Sequence, residues 1–368
     1  MRILYDGQIY ADQVAGGVKR YFDNIISRLP DSFMPSLTIL TNCHNYETTY
    51  PDHSNLKKIQ YARFGFSPGR LSYWFEKYYF RAVAAFNHFD VVHPTYYSSL
   101  TRQEVGKYRY PVVLTVWDMI HEIFPQQLDP NGKHIEEKRK AILSAQAIIC
   151  ISEHTKKDLI DRYSLPENQV TVTYLASQID VSLGDGSDPV PSQPYYLYVG
   201  SRAAYKNFDG LLSAFAKVVS VRSDIMLCVV GSPFNQSEAK LIEDLKLSDR
   251  IEHYGYATDS QLAKLYRCSV ALVYPSRYEG FGIPPLEAMS CGTAVVACNC
   301  SSIPEVVGDA GLLFDPQSTG ELADMLLFLL DCPSERDRLI AKGHQRAQMF
   351  SWDKTAAQTI DVYRSVSH

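Results

Sequence analysis

The sequence predicts an α/β protein with two Rossmann-like, parallel-sheet domains. Short apolar runs alternate with segments of helical periodicity along the whole chain. Most of these runs are apolar on both sides of the alternation, which is typical of strands buried on both faces of a parallel sheet. A single stretch rich in Gly, Ser, Asp and Pro interrupts the series, and 368 residues are enough for two domains.

The predicted elements fall into two series, one on each side of that stretch. We expect an N-terminal domain at residues 1–180, a linker at 181–194 and a second domain from 195 to 350. Such domains are expected to face each other across a cleft, with ligands at the carboxyl ends of the strands. The strands are predicted at 2–5, 36–41, 91–93, 112–116, 147–151 and 170–174, then at 195–199, 226–230, 251–254, 270–273 and 294–297; the helices are predicted at 18–29, 155–163, 208–219, 260–267, 285–290 and 321–330.

Composition and charge exclude several classes of protein. With 46% hydrophobic residues the chain can build real cores, which rules out a disordered or fibrous protein. The 36 basic and 41 acidic residues give a net charge of −5, which argues against bulk nucleic-acid binding. No apolar run approaches the roughly 20 residues that span a bilayer, and no signal-peptide core is visible, so we expect a cytoplasmic protein. The 8 cysteines include no Cys-x-x-Cys pair and are expected to be reduced thiols.

Two glycines follow the first predicted strand and precede a helix. Gly16 and Gly17 let a ligand approach the backbone closely, and the amides of a helix N-terminus can bind an anion. We therefore predict a phosphate contact here. A loop that only caps the helix is the alternative.

Two cations stand after the strand predicted at 195–199. Gly200 and Ser201 lead there to Arg202 and Lys206. Arginine offers a bidentate fork and lysine a point charge, so the pair can clamp a diphosphate. A pair of solvated charges in a loop is the alternative.

The most specific motif spans a loop between a strand and a helix in the second series. Glu279 and Glu287 stand on either side of a glycine-containing turn. Between them, the backbone amides of Phe281, Gly282 and Ile283 can face a phosphate. Glu287 can hold ribose hydroxyls, as acidic residues do in other nucleotide sites.

In these motifs the chain resembles the retaining glycosyltransferases of family 4, which have the two-domain GT-B fold. The Glu-x7-Glu signature of that family is met by Glu279 and Glu287. The resemblance also implies a C-terminal helix at 351–368 that packs back on the N-terminal domain. Further segments that match the family are 16–17, 118–122, 151–155, 202–207, 311–316 and 350–352.

The resemblance implies that the second domain binds a nucleotide-sugar donor. Glu279 is expected to contact the sugar hydroxyls and Glu287 the ribose. Arg202 and Lys206 are expected to neutralise the leaving diphosphate. The other donor contacts of the family fall here on Gly16, Gly17, Gly200, Ser201, Tyr256, Ala257, Phe281, Gly282 and Ile283.

Two further residues are candidates for the acceptor side of the reaction. Asp118 and His121 follow the strand predicted at 112–116, in a segment that resembles the family. His121 can orient the acceptor hydroxyl or help to deprotonate it, whereas a histidine that only caps a loop is the alternative. Trp117 stands where relatives often have histidine, and residues 175–177 read Leu-Ala-Ser where many have a His-Gly or Asn-Gly step.

Transfer of a sugar from a nucleotide diphosphate requires that the leaving charge be stabilised. No Asp-x-Asp occurs, so we expect no metal and no other cofactor. Cations and helix N-termini can stabilise the leaving charge instead. The resemblance implies retention of the anomeric configuration by a front-face mechanism, in which a phosphate oxygen accepts the acceptor's proton.

The segments at 5–17 and 118–125 look most like bacterial mannosyltransferases that build surface polysaccharides such as lipopolysaccharide. This favours GDP-mannose as the donor and a glycan or lipid-linked glycan as the acceptor. A UDP-sugar transferase, a sucrose-type synthase and a non-catalytic nucleotide-sugar-binding protein are the alternatives. A dinucleotide oxidoreductase is disfavoured, because no Gly-x-Gly-x-x-Gly follows the first strand.

The region from Lys57 to Arg81 combines basic and aromatic residues with a single acid, Glu76. Such a composition suits a face that contacts an anionic membrane or a lipid-linked acceptor. A helix packed on the sheet, with its basic residues reaching solvent, is the alternative. Membrane contact would place the protein at the inner face of the cytoplasmic membrane.

Overall fold

A computed structural model describes residues 1–12, 16–41, 49–62, 74–76, 78–79, 88–101, 103–183 and 188–367. The chain forms two compact units. Unit 1 comprises Met1–Leu175 and Trp352–His368, and unit 2 comprises Ala176–Ser351. Over the described ranges, no helix is both long and apolar enough to cross a membrane.

The described part of the stretch 181–194 belongs to unit 2, so the chain changes unit earlier than the sequence predicts. Asp188 is anchored in unit 2 by the helix Asp259–Cys268. Lys264 donates to its carbonyl oxygen at 2.6 Å, and the Ser260 hydroxyl donates to its carboxylate at 3.2 Å. The Gly- and Pro-rich composition indicates an irregular segment, but the side chains that anchor it lie far along the chain.

All the strands described in unit 1 are parallel to their neighbours. They pair in the orders β3-β2-β1-β4 and β5-β6-β7, and a bridge between Val92 and Val112 joins the two groups. β1, β4, β5 and β6 are almost entirely buried, as their mostly apolar sequences predict. The strands are β1 Arg2–Asp6, β2 Met34–Thr41, β3 Lys57–Ala62, β4 Val91–Pro94, β5 Val113–Val116, β6 Ala147–Cys150 and β7 Val170–Val172.

Helices connect these strands, and a C-terminal helix returns to the same unit. The described helices of unit 1 are α1 Gln8–Asp12, α2 Gly17–Ser27, α3 Ile120–Ile123, α4 Pro125–Leu128, α5 Lys133–Ser144, α6 Glu153–Tyr163 and the final helix, α14 Trp352–Val366.

Buried polar groups attach α14 to the sheet of unit 1. The Tyr363 hydroxyl lies 2.7 Å from Nδ1 of His93 and 3.1 Å from the Tyr5 hydroxyl. Nε2 of His93 lies 2.9 Å from the Thr115 hydroxyl, so the chain of contacts runs from α14 across β1, β4 and β5. Thr355 adds a hydrogen bond of 2.6 Å from its hydroxyl to the carbonyl oxygen of Tyr174. The C-terminal helix therefore packs on unit 1, as the resemblance implies.

Unit 2 is built on one parallel sheet in the order β10-β9-β8-β11-β12-β13. Its strands are β8 Tyr195–Val199, β9 Met226–Val230, β10 Ile251–Tyr254, β11 Ala271–Tyr274, β12 Val295–Cys298 and β13 Leu312–Phe314. Its described helices are α7 Phe208–Val221, α8 Gln236–Asp244, α9 Asp259–Cys268, α10 Ile283–Ser290, α11 Ile303–Val307, α12 Thr319–Asp331 and α13 Pro333–Ala347.

The central strand β8 carries three buried tyrosines, each with its hydroxyl satisfied. Tyr195 donates to the carbonyl oxygen of Leu265 at 2.8 Å, and Tyr196 donates to that of Leu326 at 2.5 Å. Tyr198 donates to the carbonyl oxygen of Ser201 at 2.6 Å. A buried hydroxyl without such a partner is destabilising, so these hydrogen bonds favour burial of the three rings. Many of the chain's 25 tyrosines are thus core residues.

Several elements are absent from the sequence prediction. β3 lies in the basic, aromatic region and is an edge strand. Its sequence, Lys-Lys-Ile-Gln-Tyr-Ala, is half polar and lacks a continuous apolar run. α5, α8 and α13 are rich in charged residues and bury few side chains, so their apolar periodicity is weak. Tertiary packing rather than a strong local pattern stabilises these segments.

The buried His93 predicts a pH-dependent stability. Burial lowers the pKa of His93 to about 3, whereas the unfolded chain has a histidine pKa of about 6.5. Between these values only the unfolded state binds the proton, so stability falls as the pH drops below about 6.5. From pH 7 to pH 5 the expected loss from this group is about 2 kcal/mol.

His93→Gln should remove this part of the pH dependence, because glutamine can bond to the same neighbours without titrating. The measurement is the free energy of urea unfolding at pH 7 and pH 5. His88→Gln, at an exposed histidine, is the control. An identical pH dependence in wild type and His93→Gln would contradict the prediction.

Candidate active site

The carboxyl ends of β8 and β11 lie at the point where the sheet of unit 2 reverses its order of connection. β8 pairs with β9 on one side and with β11 on the other. In open parallel sheets, ligands bind at such a switch point, outside the carboxyl ends of the strands. The cations predicted from the sequence follow β8, and Glu279 follows β11. The strand order thus brings together residues that are distant in the sequence.

Lys206 and Glu279 form an ion pair at this place. Nζ of Lys206 lies 2.6 Å from Oε1 of Glu279, and the two side chains are 15% and 12% exposed. Tyr274, at the end of β11, lies beside the pair, and burial together with the Glu279 charge raises its pKa well above the usual value. The ion pair is therefore largely shielded from solvent, and in such an environment the attraction between the two charges is stronger than in water.

Main-chain and side-chain bonds join the two loops that carry this pair. The amide of Arg277 donates to the carbonyl oxygen of Tyr205 at 2.8 Å. Nη2 of Arg277 donates to Oδ1 of Asn207 at 3.0 Å. Asn207 itself has φ 55°, a left-handed conformation that asparagine tolerates better than most residues. It thereby ends the loop and starts α7.

A second loop, which follows β12, holds Glu279 in place. The Ser301 hydroxyl accepts from the amide of Glu279 at 3.0 Å and donates to its carbonyl oxygen at 2.6 Å. The Ser302 hydroxyl donates to the carbonyl oxygens of Glu279 and Phe281 at 2.9 and 2.8 Å. The thiol of Cys300 donates to the carbonyl oxygen of Arg277 at 3.1 Å. The sequence prediction did not include these supporting residues.

Arg202 belongs to a different ion pair. Its Nε lies 3.1 Å from Oε1 of Glu238, and the two side chains are 4% and 8% exposed. Its Nη2 donates to the carbonyl oxygens of Ser232 and Pro233 at 2.7 and 2.8 Å, and the guanidinium lies 4.8 Å from the ring of Phe234. Its Nη1 is buried and has no acceptor among the described residues. Nε likewise makes no hydrogen bond among the described residues, although it lies within ion-pair distance of Glu238. Of these two donors, Nη1 is the one that remains for an anion.

Two glycines stand where the turns after β8 and β9 meet. Gly200 has φ 136°, which side chains rarely allow, and a Cβ at Gly231 would lie 2.6 Å from the carbonyl oxygen of Gly200. The two turns therefore approach more closely than residues with side chains allow. The next residue, Ser201, presents its carbonyl oxygen to Tyr198.

Glu287 is buried in α10. Its Oε2 accepts a hydrogen bond of 3.0 Å from the Tyr266 hydroxyl, whose pKa is raised well above its usual value by burial and by this carboxylate. α10 begins at Ile283 directly after Gly282, which has φ 113°. The side chain of Phe281 packs against Phe350, with ring centroids 5.8 Å apart, so only its backbone can serve a ligand.

The turn after β10 contains two of the predicted donor contacts, Tyr256 and Ala257. Tyr256 is 89% exposed, with its hydroxyl 3.3 Å from that of Ser232, and Ala257 follows it. Nε2 of His253 lies 2.9 Å from the carbonyl oxygen of Gly231. The turn is thus tied to the loop that also holds Arg202.

In unit 1, Gly16 and Gly17 stand at the start of α2, as predicted. Gly16 is the N-cap residue and has an extended φ of 167°, which any residue adopts. Its carbonyl oxygen accepts from the amide of Arg20 at 3.0 Å. Residues 13–15 lie outside the described residues. A close approach of a ligand, rather than backbone strain, would be the reason for glycine here.

Asp118 and His121 follow β5 in unit 1. Oδ1 of Asp118 accepts from the amide of Ile120 at 3.0 Å and so starts the short helix α3. The ring of His121 lies 4.1 Å from that of His134, centroid to centroid. Nδ1 of His121 is buried and has no hydrogen-bond partner in the part of the chain that the structure describes. Among the residues that the structure describes, no three His, Cys, Asp or Glu side chains are grouped so that they could hold a metal ion.

Two family models match the chain, one on each side of its middle. Residues 15–176 match Glycosyltransferase Family 4, and residues 186–346 match Glycosyl transferases group 1. The chain is 34% identical over 232 residues to O-antigen chain mannosyltransferase B of Escherichia coli, a match that covers 60% of this chain and 61% of that protein. It is 28% identical to MMP alpha-(1->4)-mannosyltransferase of Mycolicibacterium hassiacum, over 75% of this chain and 70% of that one.

Solved structures share the fold. Sucrose-phosphate synthase from Thermosynechococcus elongatus superposes with a TM-score of 0.78 at 20% identity, covering 99% of this chain and 98% of that one. HepE of Anabaena in complex with UDP and glucose gives 0.73 at 18% identity, over 99% and 100% of the two chains. WaaG, a glycosyltransferase involved in lipopolysaccharide biosynthesis, gives 0.71 at 16%, over 99% of both. The chain belongs to the glycosyltransferases, in the group 1 and family 4 class with the GT-B fold.

Proposed function

We propose that this enzyme is a retaining, metal-independent mannosyltransferase. It moves mannose from GDP-mannose to a glycan or lipid-linked glycan acceptor during the synthesis of a surface polysaccharide, in the cytoplasm. The observation that carries the proposal is the ion pair of Lys206 and Glu279 at the switch point of unit 2. The similarity to mannosyltransferases of Escherichia coli and Mycolicibacterium hassiacum supports the choice of donor.

Two cations are available for the leaving diphosphate. Lys206 carries its charge at the carboxyl end of β8, and Arg202 has a buried Nη1 for which the described residues provide no acceptor. Preorganised donors of this kind stabilise charge that develops on a leaving group, because they need no reorganisation during the reaction. The amides around Gly282, at the start of α10, point to a further phosphate contact.

Glu279 is proposed to bind the hydroxyls of the donor sugar. Its pairing with Lys206 holds the carboxylate in place, and Oε1 and Oε2 together can accept several hydrogen bonds. In the proposed step the bond from C1 of the sugar to the phosphate oxygen breaks, and a bond from C1 to the acceptor oxygen forms on the same face. The acceptor's proton passes to an oxygen of the leaving phosphate. His121 of unit 1 orients the acceptor hydroxyl.

The proposed donor is tested by the release of nucleotide diphosphate. With octyl α-mannoside as acceptor probe, GDP release from GDP-mannose should exceed UDP release from UDP-glucose by at least tenfold. We expect this difference because a binding site for the nucleotide base can discriminate between guanine and uracil by hydrogen bonding. Faster UDP release would identify a UDP-sugar transferase. Binding of both nucleotides in a thermal-shift assay without any release would identify a non-catalytic protein.

The proposed site is tested by single substitutions in unit 2. Glu279→Gln, Lys206→Met and Arg202→Ala should each lower turnover by about a hundredfold or more, as expected for the loss of one preorganised electrostatic group. Lys240→Met, at an exposed lysine of the same unit, is the control. Each substitution leaves a buried charge without its counter-charge, which can destabilise the fold. Thermal unfolding is therefore measured alongside turnover. Near-normal transfer by the three folded variants would refute the site.

Membrane contact is a second proposal and concerns unit 1. Residues 74–79 include four large aromatic side chains, each about half exposed, which we call the aromatic surface. Trp74 and Tyr78 lie 4.3 Å apart by ring centroids, and Tyr79 lies 5.9 Å from Tyr61 of β3. Amphipathic aromatic residues of this kind favour the interface of a lipid bilayer. The aromatic surface consists of Trp74, Phe75, Tyr78 and Tyr79.

Other residues of the basic, aromatic region, among them Arg63, Arg70, Lys77 and Arg81, lie outside the described residues. Co-sedimentation with liposomes tests the proposal. Wild type should bind anionic vesicles more strongly than neutral ones. The double variant Trp74→Ser/Phe75→Ser should lower binding several-fold, because it removes aromatic area that would insert into the lipid interface. Met349→Ser, at an exposed apolar residue of unit 2, is the control. Equal binding to both vesicles, unchanged in the double variant, would contradict the proposal.

A further inference from the structure

A fully buried lysine lies against the segment that contains Asp118 and His121. Lys138 belongs to α5, a helix that the sequence does not predict. Its Nζ lies 2.9 Å from Oε2 of Glu122, and the two side chains are 0% and 1% exposed. Lysine and glutamate are rarely so deeply buried unless they are paired.

Lys138 also binds the main chain of that segment. Its Nζ donates to the carbonyl oxygen of Asp118 at 2.5 Å and lies 5.4 Å from the centroid of the Tyr97 ring. The Tyr97 hydroxyl in turn accepts from the amide of Trp117 at 3.2 Å. Contacts from Tyr97 and Lys138 thus hold the start of the segment 117–122, and the pair with Glu122 holds its end.

The same helix places a second side chain against His121. His134 lies one turn before Lys138, and its ring lies 4.1 Å from that of His121, centroid to centroid, at an interplanar angle of 43°. Burial, the neighbouring imidazole and the charge of Lys138 lower the pKa of His134. One face of α5 therefore contacts both residues that the sequence analysis assigns to the acceptor side.

Stability is a poor explanation for this buried pair. Removing two charges from water is costly, and replacing a buried ion pair by apolar residues often leaves a protein as stable as before. An apolar pair, however, could not donate to the carbonyl oxygen of Asp118. A charged donor at this place fixes the backbone in one position.

We propose that Lys138 is a positioning residue for the acceptor site, because it sets the place of Asp118 and His121. The inference rests on the function proposed above, in which His121 orients the acceptor hydroxyl. It makes Lys138 act on the acceptor, since its side chain bonds to Asp118 and Glu122, whereas the donor contacts are assigned to unit 2 and to Gly16 and Gly17 at the start of α2. The kinetic constants for the two substrates therefore separate this role from a general loss of structure.

The experiment compares Lys138→Met with Lys138→Met/Glu122→Met, using GDP-mannose and octyl α-mannoside. Lys138→Met leaves the buried Glu122 carboxylate without a counter-charge and with only the hydrogen bond from the Tyr163 hydroxyl, so it should lower the melting temperature, and the double variant should recover most of that loss. Both variants should raise the KM for the acceptor about tenfold, the effect of one lost charge-assisted hydrogen bond, and leave the KM for the donor unchanged. Lys140→Met, at an exposed lysine of α5, should match wild type.

Glu122→Gln provides a second variant, since it keeps Lys138 and its bond to Asp118. Its acceptor KM should stay within about twofold of wild type, and hydrogen exchange at 117–122 should be faster only in variants that lack Lys138. An acceptor KM that recovers together with stability in the double variant would overturn the inference.

His121→Ala separates this inference from the function on which it rests. If His121→Ala raises the acceptor KM and the Lys138 variants do not, the positioning role fails and the proposed function stands. An unchanged acceptor KM in His121→Ala refutes the acceptor role of His121 and the inference with it.

Discussion

The ion pair between Lys206 and Glu279 depends on the strand order of unit 2. β8 and β11 are neighbours because the strand order runs from β8 to β9 and β10 on one side and from β11 to β12 and β13 on the other. Their loops then meet at one edge, and Arg277 joins them by two hydrogen bonds. The loop after β12 adds Ser301 and Ser302, which fix the backbone of Glu279. A charged pair that is mostly buried needs this many supports, because its desolvation is otherwise unfavourable.

The two predicted cations, Arg202 and Lys206, have different partners and different roles. The spacing of Arg202 and Lys206 indicates a single clamp, but each is held by its own carboxylate, Glu238 and Glu279. Arg202 also binds the turn after β9 through two carbonyl oxygens, so it links the end of β8 to its neighbour in the sheet. Its remaining buried donor is what makes it a candidate for binding an anion. The same side chain thus has a structural and a proposed functional role.

Unit 1 uses buried polar side chains in a similar way. His93 and Tyr363 connect the sheet to the C-terminal helix, and Lys138 and Glu122 connect α5 to the segment after β5. The partners are 270 residues apart in the first place and 16 residues apart in the second, and in both they belong to different elements. Such bonds add little net stability, but leaving one partner unsatisfied in the core is costly. They therefore select one arrangement of helix and sheet over its alternatives.

The sequence alone determined the fold class, most strands, and the motif around Glu279 and Glu287, because these follow from local periodicity and from residue types at short spacing. It did not reveal α5, α8, α13 or the edge strand β3, since charged helices and edge strands carry a weak apolar pattern. Nor did it assign a role to Glu238, Ser301 or Lys138, whose partners lie in other loops or helices. Only the tertiary structure decided these contacts, because strand order and helix packing, rather than sequence spacing, determine which buried charges meet.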